Sequence, residues 1–339
     1  GSALADAAAT GTVLLPEMKK RGFDPAFSSA VIASAATVGP IVPPSISFVL
    51  LGAIVNISVG QLFLGGVIPG ILMFIAMFGV TWWICKKRGY PLERRATGPE
   101  RGVAFFEGIS ALVAPFIIVG AIIFGVATPT ESAAIAAFYV LFLGLFVYRN
   151  LSLRQILEAA SHAAVITSVI MLTVATSKIF AWLAVKENLG EFLIAGLLWV
   201  TDELWVLLLM INALLLMLGM IMEILPIMLI LAPILFPLLT GLGVDEVHFG
   251  VVMVLNLMIG MITPPIGLNL FIISSIGGVG VIDIFKQAVP YFLILVGVLL
   301  IITFIPVSYT HLTLPTNREE LISVVAVSLK KKGGGGGGG

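Results

Sequence analysis

The 339-residue chain has few charged residues, one cysteine and three histidines. Charged residues make up 11 % of it and balance to a formal net charge of zero, so no basic field indicates a nucleic-acid partner. The single cysteine, Cys85, excludes an intrachain disulfide. The scattered histidines suggest no metal cluster or catalytic triad, and no Gly-x-x-x-x-Gly-Lys-Ser/Thr motif occurs. We therefore expect that the protein is not an enzyme.

Hydrophobic residues, in contrast, make up 59 % of the chain, and its mean hydropathy is +1.15. A soluble domain carries about 25 % charged residues, and the apolar runs here approach the ~20 residues that cross a bilayer. The pattern predicts an all-α polytopic membrane protein. We expect helical segments, two of them broken, at 1–16, 26–56, 62–85, 105–125, 132–148, 156–185, 190–200, 204–218, 226–239, 245–276 and 283–305. Thr130 is the expected N-cap of the segment 132–148.

Residues 39–48 and 260–269 each place a Pro-Pro pair inside a hydrophobic stretch that is otherwise long enough to span. Proline lacks an N–H and clashes with the preceding turn, so each stretch is predicted to be a broken helix. Irregular backbone at membrane depth is tolerated only where it is buried in protein or lines a cavity. Two such breaks in two halves of a chain point to the binding site of a transporter.

The two breaks belong to a longer internal repeat. At a constant offset of 221 residues, the glycines, prolines and aspartate that set backbone geometry coincide: Pro16, Gly22, Asp24, Gly39, Pro43 and Pro44 match Pro237, Gly243, Asp245, Gly260, Pro264 and Pro265. No gap is needed from residue 16 to residue 50. The register predicts an internal duplication.

Charge bias predicts how the copies lie in the membrane. Residues 86–102 hold six basic and two acidic side chains, which indicates a cytoplasmic loop. Counting spans from that loop places the cationic turn at 19–21 inside and the uncharged turn at 240–242 outside. The copies are therefore expected to be inverted. By the same count, Trp182 fits an outer aromatic belt.

The breaks also bring together groups that could bind ions. Half-helix N-termini favour anionic groups, and freed carbonyls and hydroxyls are hard ligands for a small cation; Ser45, Ser47, Thr263 and Asn269 supply side-chain oxygens. Asp6 and Glu223 are acids within apolar segments, which are functional hypotheses by default, although a capping or scaffold role remains open for both. Oxygen-rich breaks and few buried titratable groups favour sodium as the coupling ion, while protons stay open as the alternative on the residues alone.

Several segments resemble the large membrane subunit of TRAP (tripartite ATP-independent periplasmic) transporters. They are GSALAD at 1–6, PEM at 16–18, VPPS at 42–45, TPTESA at 128–133, HFG at 248–250 and TPPIG at 263–267. The resemblance runs in order through residues 1–306. It implies an inverted-repeat, elevator-type secondary transporter with re-entrant hairpins, located in the bacterial inner membrane.

The resemblance also implies partners, ions and site residues. A periplasmic binding protein would deliver an organic anion, a C4-dicarboxylate or a sialic acid, to this chain and a small four-helix subunit, with Na⁺ as the coupling ion and no other cofactor. Expected substrate contacts are Ser2, Pro43, Pro44, Ser45, Thr263, Pro264, Pro265 and Asn269. Expected sodium ligands are Gly1, Asp6, Gly39, Gly219, Glu223, Gly260, Thr263 and Gly267.

The implied domains are a transport domain made of 1–60 and 204–281, scaffold and connecting helices at 61–203, and a last span at 282–306. The segment after Pro306 resembles a translated sequencing adaptor followed by glycines, so residues 308–339 are expected to be non-native; a flexible glycine-rich tail is the alternative. The chain lacks an initiator methionine, and we expect a truncated N-terminus.

Three functional classes stay open on the residues alone. The first is a cation-coupled anion transporter. The second is a stand-alone anion carrier or a channel that works without a binding protein; a channel would not need two inverted hairpins with closed tips. The third, a membrane-embedded enzyme, would need a nucleophile or metal set that the sequence does not show.

Overall fold

The computed structural model describes residues 1–90, 94, 97–201 and 203–305. The predicted tail at 308–339 and most of the linker at 91–96 lie outside these residues. The described chain is helical and contains no strand. Its helices are α1 Ala3–Lys20, α2 Pro25–Ala35, α3 Ile46–Val55, α4 Val59–Arg88, α5 Gly98–Ile123, α6 Pro129–Phe142, α7 Leu153–Lys186, α8 Leu189–Val200, α9 Leu204–Gly219, α10 Ile224–Gly241, α11 Glu246–Gly260, α12 Leu268–Gly277 and α13 Val281–Phe304.

The predicted all-α membrane architecture is confirmed. Among the described residues, five helical stretches are long and apolar enough to span a bilayer: Val59–Arg88, Pro129–Val147, Leu153–Phe180, Ile224–Gly241 and Val281–Phe304. A sixth is formed if the two parts of α5, bent by 47°, count as one span. The predicted broken helices are also present. Helices α2 and α3 are separated by a short 3₁₀ helix, Ala36–Val38, and by residues 39–45, and α11 and α12 are separated by residues 261–267.

Two local predictions were wrong. The first helix does not end at residue 16 but continues through Pro16 to Lys20. The N-cap of α6 is Thr128 rather than Thr130: its Oγ1 accepts from the Glu131 N–H at 3.3 Å, and the Glu131 carboxylate accepts from the Thr128 N–H at 2.8 Å. Pro129 then takes the first helical position, where a missing N–H costs nothing.

The duplication seen in the sequence is present in local structure. Helices α1 and α10 are both 18 residues long and begin 221 residues apart. Each ends in a turn with a glycine at positive φ, +81° at Gly22 and +86° at Gly243. Each following helix is capped by an aspartate, because Asp24 Oδ1 accepts from the Phe27 N–H at 2.7 Å and Asp245 Oδ1 from the His248 N–H at 2.9 Å.

The two copies lie in opposite directions. The turn after α1 lies at the end of α4, where Tyr90 accepts from the Asp24 N–H at 3.4 Å and Arg88 lies 5.1 Å from the Phe27 ring centre. The turn after α10 lies at the start of α4, where residues 240–247 and 56–61 line a common surface pocket. Because α4 is 30 residues, about 45 Å, long, the two turns are at opposite ends of the molecule.

The copies exchange their packing partners. Helix α1 packs on α12 and α10 packs on α3, while α2 packs on α13 and α11 on α4. Helices α4 and α13 pack on each other, so both share a core with the two broken helices. We name the helices α1–α4 and α9–α13 the central block. Its largest fully buried side chains include Tyr291, Phe27, Phe48, Phe63 and Phe249.

The remaining helices surround this block with few contacts. Helix α7 packs on α10, the α5–α6 pair reaches the block at α4, and α8 bridges α7 and α9. Large apolar side chains on α5, α6 and α7 are exposed, among them Phe116, Phe138 and Leu172. These helices therefore offer a broad apolar surface to lipid or to another subunit. The predicted division into a transport domain and a scaffold stays a prediction.

Replacement of Gly66 by alanine tests the packing of α4 on the first break. A Cβ at Gly66 would lie 2.5 Å from the Ile41 carbonyl oxygen and 2.6 Å from the Phe48 ring, whereas Gly79 on the same helix has open space. Overpacking of this kind costs roughly 1–3 kcal/mol. We expect Gly66→Ala to lower the unfolding midpoint of the full-length protein in detergent and Gly79→Ala to leave it unchanged or raised. Equal midpoints would contradict the packing.

Candidate functional site

Two loops and two helix breaks converge on one cavity inside the central block. We call residues 1–6 the first tip, 219–225 the second tip, 39–45 the first break and 261–267 the second break. The cavity has a volume of about 50 Å³ and is lined by residues 1–4 and 223–225 of the tips, by Pro40, Ile46 and Ser47, by Met258 and Met261, and by Ile170 of α7. Water or a bare cation fits, whereas pockets for organic ligands measure ~300 Å³ or more. The tips are therefore closed over the breaks.

The first break is organised by Ser45. Its hydroxyl donates to the Pro40 carbonyl and accepts from the Phe48 N–H at 3.1 Å, which makes it the N-cap of α3. The side chain is buried, and the Pro43–Pro44 peptide bond is cis. Both hydrogen bonds of this predicted substrate ligand thus go to the protein's own backbone. Ser47, two residues further on, lines the cavity.

The second break is held by the second tip. The Met220 carbonyl accepts from the N–H groups of Ile266 and Gly267, both at 3.2 Å. The first tip repeats this contact less closely, since the Gly1 carbonyl accepts from the Ile46 N–H at 3.4 Å. In both copies, therefore, a tip carbonyl accepts from an N–H group within two residues of the Pro-Pro pair. These are the groups expected to favour an anion at a half-helix N-terminus.

Glycines allow this close approach of tips and breaks. A Cβ at Gly39 would collide with Oδ2 of Asp6, so the carboxylate of the first tip lies directly against the first break. A Cβ at Gly260 would lie 2.6 Å from the carbonyl carbon of Gly219, so the second tip meets the end of α11 backbone to backbone. The structure thus brings four of the eight expected sodium ligands together in two pairs, one in each copy.

The other predicted ligands lie around these pairs. Thr263 is buried, and its Oγ1 donates to the Ile259 carbonyl at 2.9 Å. Gly267 adopts a φ of +62° at the start of α12. Glu223 is the partly buried N-cap residue of α10 and lines the cavity, and its side chain forms no cap hydrogen bond. Ser2, the matching residue in the first copy, lines the same cavity.

Asn269 is placed elsewhere. Its side chain is fully buried and points at the first copy, where Nδ2 donates to the Ala33 carbonyl of α2 at 3.4 Å. Oδ1 has no hydrogen-bond partner in the described part of the chain. Asn269 does not line the cavity. In this conformation it connects the start of α12 to the end of α2.

Sequence reasoning missed a buried polar chain behind the second break. Asn256 Nδ2 donates to the carbonyl and to Oδ1 of Asn212, at 2.9 and 2.7 Å, and Asn212 Nδ2 donates to Thr303 Oγ1 at 3.1 Å. The chain joins α11, α9 and α13 one turn before Gly260. Two asparagines within apolar helices were the available signal, because such amides hydrogen-bond across helices in membranes.

Comparison with known proteins identifies one family. Residues 1–308 match the family described as "Tripartite ATP-independent periplasmic transporter, DctM component". The chain is 39 % identical over 306 residues to the sialic acid TRAP transporter large permease protein SiaM of Vibrio cholerae, covering 90 % of this chain and 72 % of that protein. It is 36 % identical over 325 residues to the C4-dicarboxylate TRAP transporter large permease protein DctM of Rhodobacter capsulatus, covering 90 % and 73 %.

A third relative is longer. The isethionate TRAP transporter permease protein DctMQ of Oleidesulfovibrio alaskensis is 39 % identical over 307 residues, which cover 90 % of this chain and 48 % of that protein. The chain thus spans about half of that relative.

Replacement of Gly260 by alanine tests the seating of the second tip. The new Cβ would meet main-chain atoms of Gly219, which cannot move aside without displacing the tip. We expect Gly260→Ala to lower the unfolding midpoint of the full-length protein by several degrees and to abolish its activity. Gly241→Ala, on α10 with nothing within 4 Å of the added Cβ, is the matched control. Wild-type behaviour of Gly260→Ala would refute the backbone contact.

Proposed function

We propose that this chain, which belongs to the DctM component family of tripartite ATP-independent periplasmic (TRAP) transporters, is the large membrane subunit of a Na⁺-coupled uptake system for an organic anion. The observation that carries the proposal is the convergence of two tips and two breaks on one cavity within an inverted repeat. Such a site near the middle of spanning helices is what secondary transporters use.

The substrate class follows from the half-helices and from the relatives. Helices α3 and α12 both begin beside the tips, and their N-terminal N–H groups favour negative charge. The relatives are named for sialic acid, isethionate and C4-dicarboxylate, all of which are organic anions. A carboxylate that replaced the tip carbonyls at these N–H groups would satisfy the same donors.

The oxygen-rich contacts at the tips support sodium as the coupling ion. The Asp6 carboxylate lies against Gly39, and the backbone of Gly219 lies against that of Gly260, with the Leu257 carbonyl oxygen 3.0 Å from the position of a Cβ at Gly219. Carboxylate and carbonyl oxygens are hard ligands suited to a small cation. We place one Na⁺ at each pair, with Thr263 contributing to the second.

We further propose that the central block moves against α5–α8 and that other subunits complete the system. The block is internally interleaved, whereas α7 reaches it mainly through α10 and the α5–α6 pair through α4. The exposed apolar surface of α5–α7 suits a small four-helix subunit. A periplasmic binding protein delivers the anion at the outer end, and the complex lies in the inner membrane.

Uptake into liposomes tests the whole proposal. We expect the full-length protein, reconstituted with its small subunit and binding protein, to accumulate a labelled organic acid such as sialic acid or succinate. Accumulation should require an inward Na⁺ gradient, because the closed tips bind Na⁺ before the anion is enclosed. Uptake that ignores both the gradient and the binding protein would instead indicate a stand-alone carrier or channel.

Thr263→Ala tests the second sodium site. Thr240 is a matched control, because its Oγ1 also donates to the carbonyl four residues earlier, at 2.8 Å, but lies at the far end of α10. We expect Thr263→Ala to raise the Na⁺ concentration for half-maximal uptake about tenfold, the usual size of one lost ion–oxygen contact. Thr240→Ala should leave it unchanged. A loss of rate at unaltered Na⁺ dependence would remove Thr263 from the site.

A further inference from the structure

The last turns of α4 carry an exposed aromatic stripe that ends in two lysines. Phe74, Phe78 and Trp82 follow one another at intervals of four residues, so they lie on one face of the helix. Each is more than half exposed, as is the neighbouring Trp83. Helix α4 is one of the spanning helices, and another of its faces, with Met73 and Met77, is buried in the central block.

The two lysines are held over the tryptophans. Lys86 Nζ lies 5.1 Å from the ring centre of Trp82, and Lys87 Nζ lies 5.2 Å from that of Trp83. Ammonium groups at this distance are attracted by the ring faces. In the described part of the chain neither lysine pairs with a carboxylate.

Arg88, the next residue, behaves differently. Its guanidinium lies 5.1 Å from the Phe27 ring and donates to Tyr90 and Gln287, so its charge is committed to the protein. Lys86 and Lys87 are left as two outward cations beside indole rings, at the end of a spanning helix. Indole rings and lysines at such a position mark the headgroup level of a bilayer.

We propose that this lysine–tryptophan surface, Trp82, Trp83, Lys86 and Lys87, binds an anionic phospholipid. Its phosphate accepts hydrogen bonds from the two ammonium groups, and its acyl chains lie along Phe78 and Phe74. Charge complementarity selects a lipid of negative net charge, because residues 86–102 carry six basic and two acidic side chains. The apolar stripe continuing from the lysines toward the membrane interior selects a lipid over a soluble phosphate.

The chain contains its own control. At the far end of α7, Lys186 Nζ lies 5.3 Å from the ring centre of Trp182, which is also more than half exposed. There, however, Glu187 follows directly and Glu191 lies one turn beyond. The local charge is therefore negative overall, and the same lysine–tryptophan pair does not retain an anionic headgroup.

Native mass spectrometry of the full-length protein with its small subunit tests the proposal. The probes are phosphatidylglycerol and, as a zwitterionic reference, phosphatidylcholine. We expect Lys86→Ala/Lys87→Ala to lower the affinity for phosphatidylglycerol about 25-fold, at about fivefold for each lysine, without changing phosphatidylcholine binding. Lys86→Arg/Lys87→Arg and, separately, Lys186→Ala should both leave the affinity for phosphatidylglycerol unchanged.

Three results would overturn the inference. The alanine pair could retain phosphatidylglycerol as the wild type does. It could lose both lipids equally while its unfolding midpoint in phosphatidylcholine stays unchanged, which would show that the lysines do not select an anionic lipid. Finally, the small subunit could protect the two lysines from acetylation while phosphatidylglycerol without the subunit does not. That result would assign this surface to the subunit.

Discussion

The structure depends on satisfying the backbone groups that two Pro-Pro breaks release inside an apolar interior. An unpaired N–H or carbonyl in hydrocarbon costs several kcal/mol, so neither break can exist without partners. The Met220 carbonyl accepts from the N–H groups of Ile266 and Gly267. The Ser45 hydroxyl hydrogen-bonds both to the Pro40 carbonyl and to the Phe48 N–H at the start of α3. The tips therefore lie where they do because the breaks require acceptors. The cavity between tips and breaks therefore results from the same hydrogen bonds that satisfy the breaks.

The way in which the tips are held suits a site that must open. Tip and break meet through single carbonyl–amide hydrogen bonds and through bare glycine backbone, as between Gly219 and Gly260. Each such hydrogen bond contributes only about 0.5–1.5 kcal/mol net when another partner can take its place. An anionic substrate offers the N–H groups an equivalent acceptor. On the proposed function, exchange of a tip carbonyl for a substrate oxygen would open the cavity at little cost, which interdigitated large side chains would not allow.

Sequence predicted the breaks and the repeat because proline, glycine and capping aspartate constrain the backbone directly. The same local rules place the N-cap of α6 at Thr128, because Pro129 favours the first helical position. The expected N-cap at Thr130 left this preference of proline out of account. The position of Asn269 against α2 was beyond such rules, as was the Asn212–Asn256 pair. Both depend on which helix of one copy packs on which helix of the other, and hydrophobic periodicity does not encode that choice.

The duplication fixes a common backbone but leaves the side chains unequal. Asp6 corresponds to Ile227, and Glu223 corresponds to Ser2, so each tip carries one acid at a different place in the repeat. The two tips therefore carry their negative charge at different positions relative to the cavity, although their backbones are related by the repeat. Because α1 packs on α12 and α10 on α3, neither copy can shift without the other. If the central block moves as we propose, it would therefore carry the cavity with its geometry intact, and only the tips would need to open.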